Sequence, residues 1–126
     1  MTALNDARTH LRKAKEFLDA AILTNDQSLY NAATSNAVSA GINAKDAICL
    51  ATRGHTNKSD NHKAAVKELE LSGPAGKSVA TKLGRLLTLK PKAQYGTTHA
   101  TATDAHNAVG WAQALYDTAV TVVRQA

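Results

Sequence analysis

Apolar residues recur every three or four positions along much of the chain, which is the spacing of one face of an α-helix. The pattern is clearest over residues 3 to 24, where the apolar stripe consists of Leu4, Ala7, Leu11, Ala14, Leu18 and Ala21. A polar segment at 24 to 28 predicts a turn, and a second helix is predicted from about Leu29 to Arg53. Gly54 is placed to end that helix, because glycine readily adopts the left-handed conformation that often follows a last turn.

The second predicted helix carries small residues on several of its faces. They include Ala37, Ala40, Gly41, Ala44 and Ala47. Neighbouring helices can approach such a helix closely from more than one side. We therefore expect it to lie at the centre of a bundle or to form part of a dimer interface.

A third, shorter helix is predicted over about residues 61 to 71. It follows a polar loop in which Ser59 or Asp60 can cap its first turn. The SGPAG segment at 72 to 76 is expected to break this helix.

A fourth helix is predicted over roughly residues 76 to 90, and Pro91 marks its end because the residue before a proline disfavours the helical conformation. A loop follows, and Thr103 is expected to cap a fifth helix. Five helices joined by short connections and no strand predict an all-α fold, an up-and-down antiparallel bundle.

Composition and charge narrow the class of protein. The 126 residues suit one domain, spanning residues 1 to 126. No window approaches the roughly 18 to 20 consecutive apolar residues of a membrane span, and a signal peptide is not apparent, so we expect a cytoplasmic protein without a membrane partner. Cys49 lies in an apolar run and is expected to be a buried thiol. The net charge of +5 favours anionic partners such as RNA, nucleotides or an acidic protein.

The residues that could carry chemistry are few. The five histidines and one cysteine have no metal-ligand spacing, so we expect neither a metal site nor a cofactor. The remaining candidates lie near the end of the fourth helix and are Arg85, Lys90, Lys92 and Tyr95. Lysine and arginine can hold phosphates and a tyrosine ring can stack on a base, but a solvated basic face and a ring anchored in the core explain these residues equally well.

Five stretches that cover nearly the whole chain carry a family resemblance. They are ARTHLRKAKEFLDAAI, YNAATSNAVSAGINAKDAICLATRG, SDNHKAAVKEL, RLLTLKPKAQYG and HNAVGWAQALYDTAV. In this order they resemble the HEPN family of small helical domains, named for nucleotide binding in higher eukaryotes and prokaryotes. The resemblance implies an antiparallel helical bundle, a homodimer with a polar groove at its interface, and a minimal nucleotidyltransferase as partner. Some members of the family are metal-independent ribonucleases, and others are binding or scaffold subunits.

In the ribonuclease members, an arginine near the end of the fourth helix is followed by a histidine after about four to six residues, a pairing that supplies a permanent cation and a proton-transfer group. No arginine of this chain has a histidine at that spacing. Lys90 and Tyr95 correspond to these positions; Lys90 can contact a phosphate as a point charge, but a phenol is a poor base at neutral pH. His99 lies beyond the family spacing and would pair with Lys90 if the chain is catalytic.

Three functions are consistent with these patterns. The first is a non-catalytic HEPN-like subunit that contacts a nucleotidyltransferase partner, RNA or a nucleotide through a basic groove. That groove would be lined by Lys90, Lys92, Tyr95 and Arg85. The second is a metal-independent endoribonuclease toxin of a two-component toxin–antitoxin pair, in which His99 or His62 moves the proton. The third is a purely structural or regulatory helical dimer. The missing arginine–histidine pair favours the first.

Overall fold

Helical hydrogen bonding dominates the structure, a computed structural model that describes residues 2–58 and 60–126. The helices are α1 (Ala3–Asp26), α2 (Tyr30–Arg53), α3 (His62–Glu70), α4 (Gly73–Thr88), α5 (Lys90–Gln94) and α6 (Ala102–Gln125). No strand occurs among these described residues, so the predicted all-α bundle is confirmed. The five-residue α5 was not predicted.

Helix α2 lies at the centre of the bundle and packs against each of the other five helices. Five of its alanines are fully buried, and their small side chains let the neighbouring helices come close; they are Ala33, Ala37, Ala40, Ala44 and Ala47. The approach is tightest at Gly41, where an added Cβ would overlap Leu86 of α4 and lie 3.3 Å from Leu115 of α6. The central position predicted for α2 is therefore confirmed.

The ends of α2 agree with the sequence pattern. Helix α1 continues to Asp26, two residues beyond its predicted end, so the turn before α2 is shorter than expected. Gly54 ends α2 as predicted: its φ of 81° is left-handed, and its N–H donates to the carbonyl oxygen of Leu50 at 3.0 Å.

The start of α3 and the start of α4 differ from the prediction. Asn61 caps α3 and accepts a hydrogen bond from the backbone N–H of Ala64 at 3.0 Å; Asp60 is not the cap, and Ser59 lies outside the described residues. Helix α4 begins at Gly73, because Pro74 occupies its first turn, where a missing N–H breaks no helical hydrogen bond. The segment at 72 to 76 thus ends one helix and begins the next.

The starts of α5 and α6 also differ from the prediction. Pro91 lies in the first turn of α5, so it ends α4 and also starts a short helix within the predicted loop. Thr101, not Thr103, caps α6, and it forms a reciprocal capping box with Asp104. The backbone N–H of Thr101 and the ammonium group of Lys92 hold the pKa of the Asp104 carboxyl below its ordinary value.

Cys49 is a buried thiol, as predicted. It is fully enclosed in the core, and Ser72 Oγ donates a hydrogen bond to its Sγ at 3.2 Å. Burial raises the pKa of the Cys49 thiol.

In the described part of the chain, none of the helices combines the length and the apolar character of a membrane span.

Candidate functional site

Three buried charged side chains and two neighbouring residues meet where α2, α3 and the segment after α2 come together. Lys45 on α2 lies at its centre, and its side chain is 3 % exposed. The ammonium group of Lys45 donates hydrogen bonds to the carbonyl oxygen of Asn57 at 2.9 Å and to Thr56 Oγ1 at 3.0 Å. It also pairs with two carboxylates, Asp46 Oδ1 at 3.3 Å and Glu68 Oε1. We call these five residues the Lys45 cluster.

Hydrogen bonds within the Lys45 cluster satisfy its carboxylates. Thr56 Oγ1 donates to Asp46 Oδ1 at 2.6 Å, and the backbone N–H of Asn57 donates to both carboxylate oxygens of Glu68 at 3.0 Å. Burial raises the pKa of Glu68, but the hydrogen bonds from Lys45 and Asn57 outweigh it, so the pKa lies below its ordinary value. The cluster therefore keeps Glu68 ionised and ties the segment after α2 to α2 and α3.

His10 extends this polar network to α1. Its Nδ1 lies 2.8 Å from Asn43 Oδ1, which can only accept, so Nδ1 carries the hydrogen. The orientation of the Asn43 amide is fixed because its Nδ2 donates to the carbonyl oxygen of Ser39 at 2.9 Å. His10 Nε2 then accepts a hydrogen bond from the ammonium group of Lys58 at 2.9 Å. This arrangement fits a neutral imidazole, and it holds the end of the Lys58 side chain against α1.

Beside the Lys45 cluster, a cleft of about 170 Å³ opens between α2, α3, α4 and residues 57, 58 and 60 to 62. We call it the α2–α4 cleft. The apolar part of its lining consists of Ile42, Ala65, Leu83 and Leu87. The charged and titratable groups of the same lining are Lys45, Asp46, Lys58, Asp60, His62 and Lys90. Because small-molecule pockets usually measure about 300–1,000 Å³, this cleft suits a single base or phosphate group better than a large cofactor.

Of the four residues predicted to bind a ligand, Lys90 lines the cleft. Its side chain is 18 % exposed, and its Nζ lies 4.0 Å from Asp60 Oδ1. The Asp60 side chain is fully exposed, so this ion pair is weak and Lys90 can exchange it for another anion. Lys92 does not line the cleft; its Nζ donates to Asp104 Oδ2 at 2.9 Å and so supports the start of α6.

Tyr95 and Arg85 lie outside the α2–α4 cleft. Tyr95 is 72 % exposed, so its ring is not an anchor in the core. Arg85 is exposed on α4. The structure therefore does not gather the four residues into one groove of a single chain, and the binding roles of Lys92, Tyr95 and Arg85 stay predictions.

The two candidate proton-transfer histidines lie in different places. The Nδ1 of His99 is hydrogen-bonded to the side-chain amide of Asn31, and His99 lines a separate depression near the start of α2. His62, in contrast, lines the α2–α4 cleft together with Lys90. If the chain cleaves RNA, His62 is the histidine that shares a cleft with the candidate phosphate contact.

The Lys45 cluster and His10 were missed when the sequence was read alone. One signal was available, because Lys45 and Asp46 stand between apolar residues, with Ala44 before them and the run Ala47 to Ala51 after them. Adjacent opposite charges in such a helix indicate buried, paired groups, since unpaired charges are rarely buried. Their partners Thr56 and Glu68 are brought in by the fold and have no sequence signature.

Neither the known protein families nor the curated proteins contain a match to this chain. Over residues 2–58 and 60–126, no group of three or more His, Cys, Asp or Glu side chains has an arrangement that could hold a metal ion.

Proposed function

We propose that this protein is a non-catalytic, HEPN-like binding subunit that holds a phosphate-bearing ligand, RNA or a nucleotide, in the α2–α4 cleft. The observation that carries the proposal is the position of Lys90 and Lys58 on the lining of one cleft that also has an apolar wall, formed by Ile42, Ala65, Leu83 and Leu87. A phosphate would contact the ammonium groups, and the apolar wall would receive the face of a base. We also propose that the protein acts in the cytoplasm, as its composition led us to expect.

The charges of the cleft favour a phosphate at Lys90 over one at Lys45. Lys45 is already neutralised by the carboxylates of Asp46 and Glu68. Lys90 faces a single, fully exposed carboxylate at 4.0 Å. A phosphate that approaches Lys90 therefore has to displace only a weak ion pair.

The proposal is tested with purified protein, uridine monophosphate and a labelled single-stranded oligouridine. Binding should weaken as salt rises from about 50 to about 200 mM, because a phosphate contact releases counterions. Lys90→Gln should weaken the binding of both ligands by at least about threefold. Lys77→Gln, which removes the same charge from an exposed site outside the cleft, should leave binding unchanged. Equal affinities for the two variants would refute a phosphate site at Lys90.

RNA cleavage is a second candidate function, and the position of His62 beside Lys90 favours it over a role for His99. In that case His62 would transfer the proton and Lys90 would hold the phosphate. Incubation of the oligouridine with protein in EDTA separates the two proposals. Cleavage that is lost in His62→Ala would replace the binding-subunit proposal with a ribonuclease.

The quaternary arrangement is proposed from the HEPN resemblance. We propose a homodimer that pairs with a nucleotidyltransferase, and a purely structural dimer is the competing view. Light scattering after size-exclusion chromatography measures the oligomeric state. A dimer that ignores RNA and nucleotides at low salt would favour the structural alternative.

A further inference from the structure

A second depression lies on the α1 side of Lys58. It has a volume of about 500 Å³ and lies between α1, the end of α2 and the segment after α2. We call it the α1 groove. The residues that line it are Asp6, Thr9, His10, Lys13, Leu50, His55, Thr56 and Lys58.

The charges of the α1 groove are mainly cationic. Lys13 is exposed and makes no ion pair with another described residue. The His55 side chain is 64 % exposed, so one face of its ring is accessible. Asp6 is the one carboxylate among the described residues that line the groove. The groove is therefore suited to an anion next to an aromatic surface.

Lys58 belongs to the lining of both depressions. Its side chain lines the α2–α4 cleft, and its ammonium group is held by Nε2 of His10, a residue that lines only the α1 groove. An ammonium group has three hydrogens, so this contact leaves donors for a phosphate. Lys58 thus places a cation at the boundary between the cleft and the groove.

We infer that the ligand is a single-stranded polynucleotide that crosses Lys58 from the α2–α4 cleft into the α1 groove. One phosphate contacts Lys90 or Lys58, a following phosphate contacts Lys13, and a base stacks on the ring of His55. Single strands are required because a duplex keeps its base faces stacked inside the helix. The inference rests on the proposed function and narrows its ligand from any nucleotide to a strand of several nucleotides.

Two ligands and three variants test this inference. The ligands are uridine monophosphate, which can fill only the cleft, and an oligouridine of about eight nucleotides, which can reach the groove. The variants are Lys13→Gln, His55→Ala and the control Lys77→Gln. Lys13 and Lys77 are both exposed lysines, so their substitutions remove the same charge without disturbing the core.

Wild-type protein should bind the oligouridine more tightly than the mononucleotide. Lys13→Gln should weaken oligouridine binding by at least about threefold and reduce its salt slope by about 0.7, the value for one phosphate contact of a single strand. His55→Ala should weaken it by about fivefold or more through lost stacking. Neither variant should change the affinity for the mononucleotide.

Three outcomes would overturn the inference. If Lys13→Gln and His55→Ala bind the oligouridine as tightly as Lys77→Gln does, the α1 groove is not used, although the cleft at Lys90 can still be a phosphate site. If an RNA duplex binds as tightly as the single strand, the stacking argument fails. If neither ligand binds to wild-type protein, the proposed function fails and this inference fails with it.

Discussion

Replacement of Lys45 by methionine tests whether the buried charges are paired as the structure places them. Methionine keeps much of the length of the side chain and removes the ammonium group. The carboxylates of Asp46 and Glu68 then lose the cation that both of them contact. They remain almost buried, so solvent cannot take its place.

The expected loss of stability is large. Removing one partner of a buried ion pair costs about 3–5 kcal/mol, because it leaves an uncompensated buried charge. The whole free energy of unfolding of a small domain is about 5–15 kcal/mol. The free energy of unfolding of a small domain falls by about 2 kcal/mol for each molar of urea, so the urea concentration at the midpoint of unfolding should be about 2 M lower in the variant.

The loss should also depend on pH. In the wild type the pKa of Glu68 is lowered, so its contribution to stability is present above the ordinary value of 4.5 and disappears as the pH falls below that value. In Lys45→Met the stabilising cation is gone while burial still raises the pKa of Glu68, so the carboxyl takes up a proton at a higher pH. Acid therefore weakens the wild type more than the variant, and the difference between them should narrow from pH 7 towards pH 4.

Urea denaturation followed by circular dichroism at these two pH values measures both effects. Lys15→Met is the matched control, because it breaks an ion pair of 2.6 Å with Asp19 that is half-exposed, and it should leave the midpoint nearly unchanged. If the urea midpoint of Lys45→Met lies within about 0.5 M of the wild-type midpoint, the loss of stability is small and the buried ion pairing is wrong. A difference that does not change with pH would contradict the role of the carboxylates.

Four further substitutions or measurements follow from the packing and the helix ends. Gly76→Ala should lower the free energy of unfolding by about 1–3 kcal/mol, because its Cβ would lie 2.5 Å from the carbonyl oxygen of Leu69. Gly110→Ala should raise the free energy of unfolding by about 0.5–1 kcal/mol, because Gly110 is helical and nothing lies within 4 Å of an added Cβ. The same urea titrations test both glycine variants, and a change of the same sign in both would refute the packing argument. Thr101→Ala removes the cap of α6, so it should lower the free energy of unfolding by about 1 kcal/mol and with it the melting temperature. An unchanged melting curve would rule out the capping box. Cys49 should react with a thiol reagent only when the protein unfolds, since burial both encloses it and raises its pKa; rapid reaction in native buffer would contradict this.

The helices could be predicted from the sequence because their signals are local. The apolar stripe of α1 and the alanines of α2 repeat with the helical period, and Gly54 ends α2 through its own backbone conformation. The errors arose where one residue type supports two structures. A proline can follow the end of one helix or lie in the first turn of the next. Pro91 was interpreted only as the end of the fourth helix, so the start of α5 was not predicted. Two threonines near the start of α6 are both plausible caps, and Thr101 is selected because Asp104 lies three residues after it.

The candidate site was less predictable because it is assembled from distant parts of the chain. Lys90 was a candidate because of its position near the end of the predicted fourth helix; in the structure it lies in α5 and lines the cleft, and its binding role stays a prediction. Lys58 could not be assigned a place from the sequence, since its position depends on a hydrogen bond to His10, which lies 48 residues earlier. Glu68 has the same difficulty, because its partner Lys45 lies on another helix.

Under the proposed function, buried and accessible cations would contribute unequally to the binding of a phosphate. The charge of Lys45 is balanced by its carboxylates, so attraction for a phosphate in the α2–α4 cleft falls to Lys58 and Lys90, and Asp60 opposes them. A surface with so small an excess of positive charge binds one phosphate weakly, whereas contacts to successive phosphates add their counterion release. Useful affinity therefore requires cations beyond the cleft, and Lys13 in the α1 groove is placed to supply one. Under the proposed function, the Lys45 cluster would not bind the ligand itself but would fix the segment that carries Lys58 between the two depressions.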